Sequence, residues 1–301
     1  MLDLIVIGAG PAGITASVYA ARKKMDLLVI SKDIGGQTAW SGDIENYTGY
    51  QFITGLQLAA KFEEHMRQYS ITVKENEEAK EVKKLNHIIS VTSDKGTYEA
   101  KTAIIASGKR TRELNVPGEK EFKNKGLTYC ATCDAPLFSD KDVAVIGGGN
   151  SGLDAALQLM RIARHVYLIN ITPEITGDPI MEEQVRKSDI VTVLNSAQVT
   201  RVIGDKFVTG ISIKRQDKEE TLAVGGVFVE IGLIPNSEFV RDVEKNQLGE
   251  IKVSIRNETS IPGIFAAGDV TDVPEKQIII AAGEGSKACL SAFRYLVQHK
   301  F

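Results

Sequence analysis

The chain has 301 residues, 43% of them apolar and 25% charged, an ordinary globular composition that excludes a disordered or fibrous protein; the length favours two compact units. Thirty-six Lys and Arg against 39 Asp and Glu leave a net charge of −3, no footprint for nucleic acid. No apolar run approaches the roughly 18 residues that cross a bilayer, so no membrane span is expected.

In chain order, Leu4-Ile5-Val6-Ile7 reads as a strand that begins too near Met1 to leave room for a signal peptide. With only three cysteines, that points to a reducing, cytoplasmic setting. The strand runs into Gly8-Ala9-Gly10-Pro11-Ala12-Gly13, followed by an Ala-rich helix pattern at residues 14–22 and a second strand at 27–30. Residues 71–73, 88–92 and 102–106 read as further strands. Residues 110–118 lack apolar periodicity and end in Pro117-Gly118, an expected crossing between domains.

The opening pattern then recurs. A strand at residues 143–146 leads into Gly147-Gly148-Gly149-Asn150-Ser151-Gly152, a helix pattern runs from Leu153 to about Ala163, and a strand follows at 166–169. Residues 226–235 close this unit as a strand, and the polar residues 244–250 are the expected return crossing. A strand at 264–267 and a helix from about Ala281 to His299 are too short to stand alone and are expected to complete the first domain. The expected fold is α/β, with two Rossmann-like, three-layer dinucleotide-binding domains, the second inserted into the first. Their expected bounds are residues 1–113 with 247–301, and residues 114–246.

A strand, a Gly-x-Gly-x-x-Gly turn and a helix bring backbone N–H groups and a positive helix end against a pyrophosphate. The first glycine allows the tight turn, the second clears the path of the phosphate, and the third lets helix and strand pack closely. One such turn is a weak signal, but two in correct context imply two dinucleotides or the relic of a second site; a flavin and a nicotinamide are the natural pair. At the ends of the second strands, where an acid usually binds the ribose, the chain has Ser31 and Asn170.

Tyr129-Cys130-Ala131-Thr132-Cys133-Asp134 has the Cys-x-x-Cys spacing of two thiols able to close a small ring. If it opens a helix, the first turn favours thiolate at the N-terminal cysteine, and Asp134 is placed to pass a proton to a departing thiolate. Half of a zinc site is the rival reading, but the four histidines are scattered without ligand spacing, so no metal is expected. Cys289, inside an apolar helix pattern, reads as a packed core residue.

Residues 8–13, Gly35-Gly36-Gln37, Asp43-Ile44-Glu45-Asn46-Tyr47, 130–134, 147–152, 226–236, Gly268-Asp269 and Lys276-Gln277-Ile278-Ile279-Ile280 are ordered landmarks. Together they resemble the low-molecular-weight thioredoxin reductases and, more closely, the flavoprotein portion of the alkyl hydroperoxide reductase flavin subunit, over essentially the whole chain. That flavin subunit carries an extra N-terminal relay domain, and its absence here favours a free-standing reductase of a thioredoxin-like partner. The resemblance implies an FAD site that uses Gly8, Gly10, Pro11, Ala12 and Gly13 for the pyrophosphate. Gly36, Gln37 and Asn46 would lie along the flavin, with Ser107 and Gly108 in place of the usual Thr-Gly. Gly268, Asp269, Gln277 and Ile278 would bind the ribityl and isoalloxazine portion. Cys133 would face the flavin, Cys130 would attack the partner disulfide, and Asp134 would be the acid. A homodimer and a rotation between domains are further implications.

Gly147, Gly149, Asn150, Ser151, Gly152 and Asn170 would hold a nicotinamide dinucleotide. From residue 166 to 185 the chain has no Lys or Arg but four acids, Glu174, Asp178, Glu182 and Glu183. A 2′-phosphate needs charge-assisted hydrogen bonds, commonly from Arg, so NADPH is disfavoured about a hundredfold and NADH is the expected donor. A ferredoxin or another flavin is the alternative donor, since some relatives with degraded nicotinamide motifs work that way. The expected partner is a thioredoxin-like or glutaredoxin-like protein; the runner-up is a peroxiredoxin served through a separate relay protein. A zinc or nicotinamide-sensing module and an O₂-reducing oxidase are rivals from other classes.

Overall fold

A computed structural model of the chain describes residues 1–41, 43–216 and 218–299. Two units form: Met1–Arg110 with the chain from Ile234 onward, and Thr111–Leu233 between them. Each is α/β and is built on parallel strands.

The first unit holds a seven-stranded sheet in the order Thr72–Glu75, Leu27–Ile34, Leu2–Ala9, Thr97–Ile105, Ile88–Ser93, Ala79–Leu85, with Ile264–Ala266 beside Thr97–Ile105. Leu2–Ala9 runs parallel to both neighbours and sets Val6 beside Val29 and Ile104. Successive side chains alternate between faces. Leu4, Val6 and Val29 pack with the helices Pro11–Arg22 and Ile278–Gln298 through Ala16, Ala288 and Ala292. Ile5, Ile7, Leu28 and Ile30 join Ile89, Val91, Val240, Val243 and Ile251 on the other face. Burial on both faces explains why these strands read as unbroken apolar runs.

The chain returns to this unit at Ile234, well before the expected residue 247. Residues 244–250 are polar but do not cross between domains. Val243 and Ile251 flank them and are buried in the first unit's core, and Glu250 itself is buried against Lys109. Polarity here marks a buried ion pair rather than a solvated linker.

The second unit has a five-stranded parallel sheet in the order Leu127–Thr128, Gly226–Val229, Asp142–Ile146, His165–Ile169, Val191–Leu194. Val143, Val145, Leu168 and Phe228 pack under the helices Asn150–Leu159 and Pro179–Arg186. Ala144, Ile146, Val227 and Val229 face the antiparallel strands Gln198–Gly204 and Val208–Arg215. The helix expected to reach about Ala163 ends at Leu159, where the Arg161 and Ile162 N–H groups turn back to carbonyls only three residues earlier. The strand expected over 226–235 splits into Gly226–Val229 and Leu233–Pro235 at a left-handed Gly232 (φ +101°). Among the described residues no helix is long and apolar enough to cross a membrane.

Candidate active site

In the first unit the three glycines of the first turn do different physical work. A Cβ on Gly8 (φ +105°) would lie 2.3 Å from the Ala106 carbonyl oxygen, and one on Gly13 would lie 1.8 Å from that of Gly8. The protein's own packing demands those two. Gly10 is extended (φ −82°, ψ −172°) and its nearest neighbour would be the Gly36 Cα at 4.0 Å. Nothing among the described residues requires glycine there, so the space it leaves open suits a ligand. Gly10 caps Pro11–Arg22 without a side-chain bond, leaving the first-turn N–H groups to an outside partner.

The remaining first-unit candidates assemble from distant segments. Gln37 Nε2 donates to the Lys109 carbonyl at 2.6 Å, beside Gly108 (φ +66°). Ser107 and Asn236 are joined twice, through Ser107 Oγ to the Asn236 carbonyl (2.6 Å) and Asn236 Nδ2 to the Ser107 carbonyl (2.8 Å). Asn46 Nδ2 donates to Gln277 Oε1 at 3.2 Å, and Ile278 packs on Ile44, Ile53 and Leu58. Gly268 sits against Ala12, where an added Cβ would come within 3.0 Å. Ser31 is buried and receives the Ala9 N–H at 3.0 Å, so it braces the first turn. Asp269 makes no hydrogen bond among the described residues; burial raises its carboxyl above the usual range, while Lys276 and Lys109 pull it down. A half-buried carboxylate without a protein hydrogen-bond donor among the described residues, close to an open glycine turn, fits a hydroxyl-rich cofactor such as FAD.

The second turn repeats the division of labour. Added Cβ atoms on Gly147 (φ +133°) and Gly152 would lie 2.3 Å from the Glu230 carbonyl and 1.9 Å from the Gly147 carbonyl, whereas Gly149 meets nothing within 4 Å. Asn150 Oδ1 receives the Asp178 N–H at 2.7 Å, and Ser151 is exposed. Asn170 is buried, and its Nδ2 donates to the Thr172 carbonyl (3.1 Å), the Glu174 carbonyl (2.8 Å) and Asn195 Oδ1 (3.1 Å). Its oxygen receives the Thr172 hydroxyl at 3.0 Å. The amide is thus taken up in organising its own loop, a task its position at a strand end does not reveal.

Cys130 and Cys133 are joined in a disulfide with Cα atoms 5.3 Å apart. Cys130 caps the one-turn helix Ala131–Asp134, which continues as the 3₁₀ turn Ala135–Phe138. The Cys133 N–H points to Cys130 Sγ at 3.2 Å. Thr128 Oγ1 receives the Cys130 N–H (3.2 Å) and donates to Asp134 Oδ2, tying the expected acid to the backbone of the expected attacking thiol. Cys133 is exposed and Cys130 partly so. Cys289 is buried in the first unit's core, and burial pushes its thiol up to about 12, which leaves it inert.

Sequence reasoning misses three sets of residues. Glu119 is buried and accepts the Tyr129 hydroxyl (2.9 Å) and the Leu114 and Asn115 N–H groups (2.7 Å each), bracing the residue before Cys130. Lys109, Glu250 and Lys276 form a buried charge cluster near Asp269. Glu230, at the end of strand Gly226–Val229, accepts the Ala131 N–H at 3.1 Å. An acid closing an otherwise apolar run is the available signal for Glu230; pairing across 141 residues leaves none for Lys109 and Glu250.

A thioredoxin reductase structure from Streptococcus pyogenes is 34% identical, with a TM-score of 0.94 over 99% of both chains. An NADH dehydrogenase of Ferdinandcohnia aciditolerans is 42% identical over 300 residues, covering 99% of this chain and 58% of its own length. A component of the alkyl hydroperoxide reductase of Staphylococcus epidermidis is 42% identical over 301 residues, covering 99% of this chain and 59% of its own. The chain therefore spans less than two thirds of these curated relatives. Residues 2–285 match the model of the pyridine nucleotide-disulphide oxidoreductases, and the chain belongs to that family.

Proposed function

We propose that the chain is an FAD-dependent dithiol–disulfide oxidoreductase that takes electrons from NADH and reduces a thioredoxin-like protein through Cys130 and Cys133. The observation that carries this reading is the Cys130–Cys133 disulfide, held in the same unit as the open Gly149 turn. Gly8, Gly10 and Gly13 would hold the FAD pyrophosphate, with Asp269 on its hydroxyls and Gln37, Asn46 and Gln277 along the flavin. When bound, FAD supplies two-electron transfer between nicotinamide and disulfide.

The chain's own residues perform the exchange. Two electrons and two protons convert the disulfide to a dithiol. The Cys130 thiolate then attacks a disulfide of the partner, forming a mixed disulfide and releasing a partner thiolate. Cys133 resolves it by attacking Cys130 Sγ, which restores the intramolecular bond and frees the reduced partner. Asp134, anchored through Thr128, delivers a proton to the departing thiolate.

NADH is favoured over NADPH by what surrounds the second turn. Glu182 and Glu183 are engaged with Arg186 (2.7 Å) and Lys187 (2.5 Å) on their own helix. Arg164 makes a two-pronged contact with Asp142 at 2.8 and 2.6 Å, leaving it committed elsewhere. A second reading, reduction of a peroxiredoxin through a relay domain or protein, is favoured by the alkyl hydroperoxide reductase relatives. A ferredoxin donor gains from Asn170 being used up in its loop.

Anaerobic bleaching of the bound flavin separates the donors. NADH should bleach it at concentrations about a hundredfold below NADPH. Bleaching by reduced ferredoxin alone would remove the nicotinamide from the reading.

A further inference from the structure

We propose that Glu230 is a positioning residue for the redox pair, holding the Cys130–Ala131 backbone and placing a like charge beside the Cys130 thiolate. The inference rests on the reading of Cys130 and Cys133 as redox-active.

Glu230 lies 99 residues from Ala131 in sequence, yet Oε1 accepts the Ala131 N–H at 3.1 Å. Its backbone is fixed independently, because the Glu230 N–H donates to the Ile146 carbonyl at 2.8 Å. The cysteine segment is thus gripped at two successive amides, Cys130 by Thr128 and Ala131 by Glu230. Among the described residues no Lys, Arg or His pairs with this carboxylate. The charged group that acts on it is another acid, Asp154 on the helix Asn150–Leu159, and the segment it grips carries Cys130 next to Ala131 and Asp134 three residues on. Burial raises the Glu230 carboxyl to about 7, against the Ala131 hydrogen bond, with Asp154 adding to the rise.

A carboxyl held half-buried without a cation costs stability, so its presence calls for a task. Protonated, Glu230 is neutral and leaves the thiols undisturbed. As it ionises, it becomes a negative charge close to Cys130, and the Cys130 thiolate becomes harder to form. Destabilising the thiolate disfavours the reduced pair, which makes the dithiol a stronger reductant as pH rises.

The test reads thiol ionisation directly. The holoprotein is reduced with a phosphine, and the rate of Cys130 alkylation by iodoacetamide is followed from pH 5.5 to 9 by peptide mass spectrometry. In the parent protein the profile should depart from a single ionisation, with a step near pH 7. Glu230→Gln keeps an acceptor for Ala131 but no charge, so the step should vanish and the rate at pH 8 should rise about tenfold, the effect of one pKa unit. Superimposable parent and Glu230→Gln profiles would overturn the proposal, as would a parent profile with one ionisation, which decides the matter even if the variant misfolds. Alkylation needs neither flavin turnover nor a partner protein. Failure of this proposal is therefore distinguishable from failure of the redox reading, which shows instead as disulfide reduction that survives loss of a cysteine.

Discussion

A Cβ on Gly13 would fall 1.8 Å from the Gly8 carbonyl oxygen, whereas one on Gly10 would meet only the Gly36 Cα, at 4.0 Å. The two glycines are therefore separable by experiment. Gly13→Ala should destabilise the protein by more than about 3 kcal/mol, because the helix start must move away from the strand. Gly10→Ala should change apoprotein stability by less than about 1 kcal/mol and still deplete bound FAD. Thermal unfolding of the apoprotein and flavin absorbance of the purified variants measure the two effects. Full flavin occupancy in Gly10→Ala would mean that the open space serves no pyrophosphate.

Asn170→Asp places an acid where the ribose of NADH would ordinarily find one, and a fingerprint argument would expect tighter NADH binding. The geometry argues the reverse. Asp lacks the Nδ2 donor to Thr172, Glu174 and Asn195, and its carboxylate would face two carbonyl oxygens. The substitution should cost about 1–3 kcal/mol and loosen the loop at residues 170–178. Urea unfolding together with NADH titration distinguishes the outcomes; an unchanged unfolding midpoint with tighter NADH would refute the structural assignment of Asn170.

Glu250→Gln leaves the buried Lys109 ammonium without its carboxylate and should cost about 3–5 kcal/mol, and Lys109→Met added to it should recover much of the loss. Burial alone would raise the Glu250 carboxyl, but Lys109, Asn246 and Lys276 outweigh it and hold it below its ordinary 4.5. A depressed carboxyl contributes stability that is fully present above that ordinary value and is lost as the pH falls through the lowered one. The gap between parent and Glu250→Gln in chemical denaturation should accordingly narrow only in acid. A gap independent of pH down to 3 would remove the ion pair from the explanation.

The two glycine turns and the cysteine pair are legible in the sequence because each is a local pattern with one physical meaning. Gly13 and Gly152 meet backbone that the strand–turn–helix itself supplies, the carbonyls of Gly8 and Gly147, while Gly8 and Gly147 meet the distant carbonyls of Ala106 and Glu230. Asn46 and Gln277 are brought together only through resemblance, since no local signal links residues 231 positions apart. Residues 244–250 mislead because polarity in a sequence does not say whether a charge is solvated or buried against Lys109. Asn170 misleads for a related reason. A strand-end amide can serve a ligand or its own loop, and only the positions of Thr172 and Glu174 decide.

Replacing Cys133 by Ser probes the electron route at its narrowest point. The purified variant, offered NADH and an oxidised thioredoxin under anaerobic conditions, should retain its flavin and show no measurable thioredoxin reduction. Thioredoxin reduction that continues undiminished in Cys133→Ser would mean that electrons leave the protein without passing through the cysteine pair.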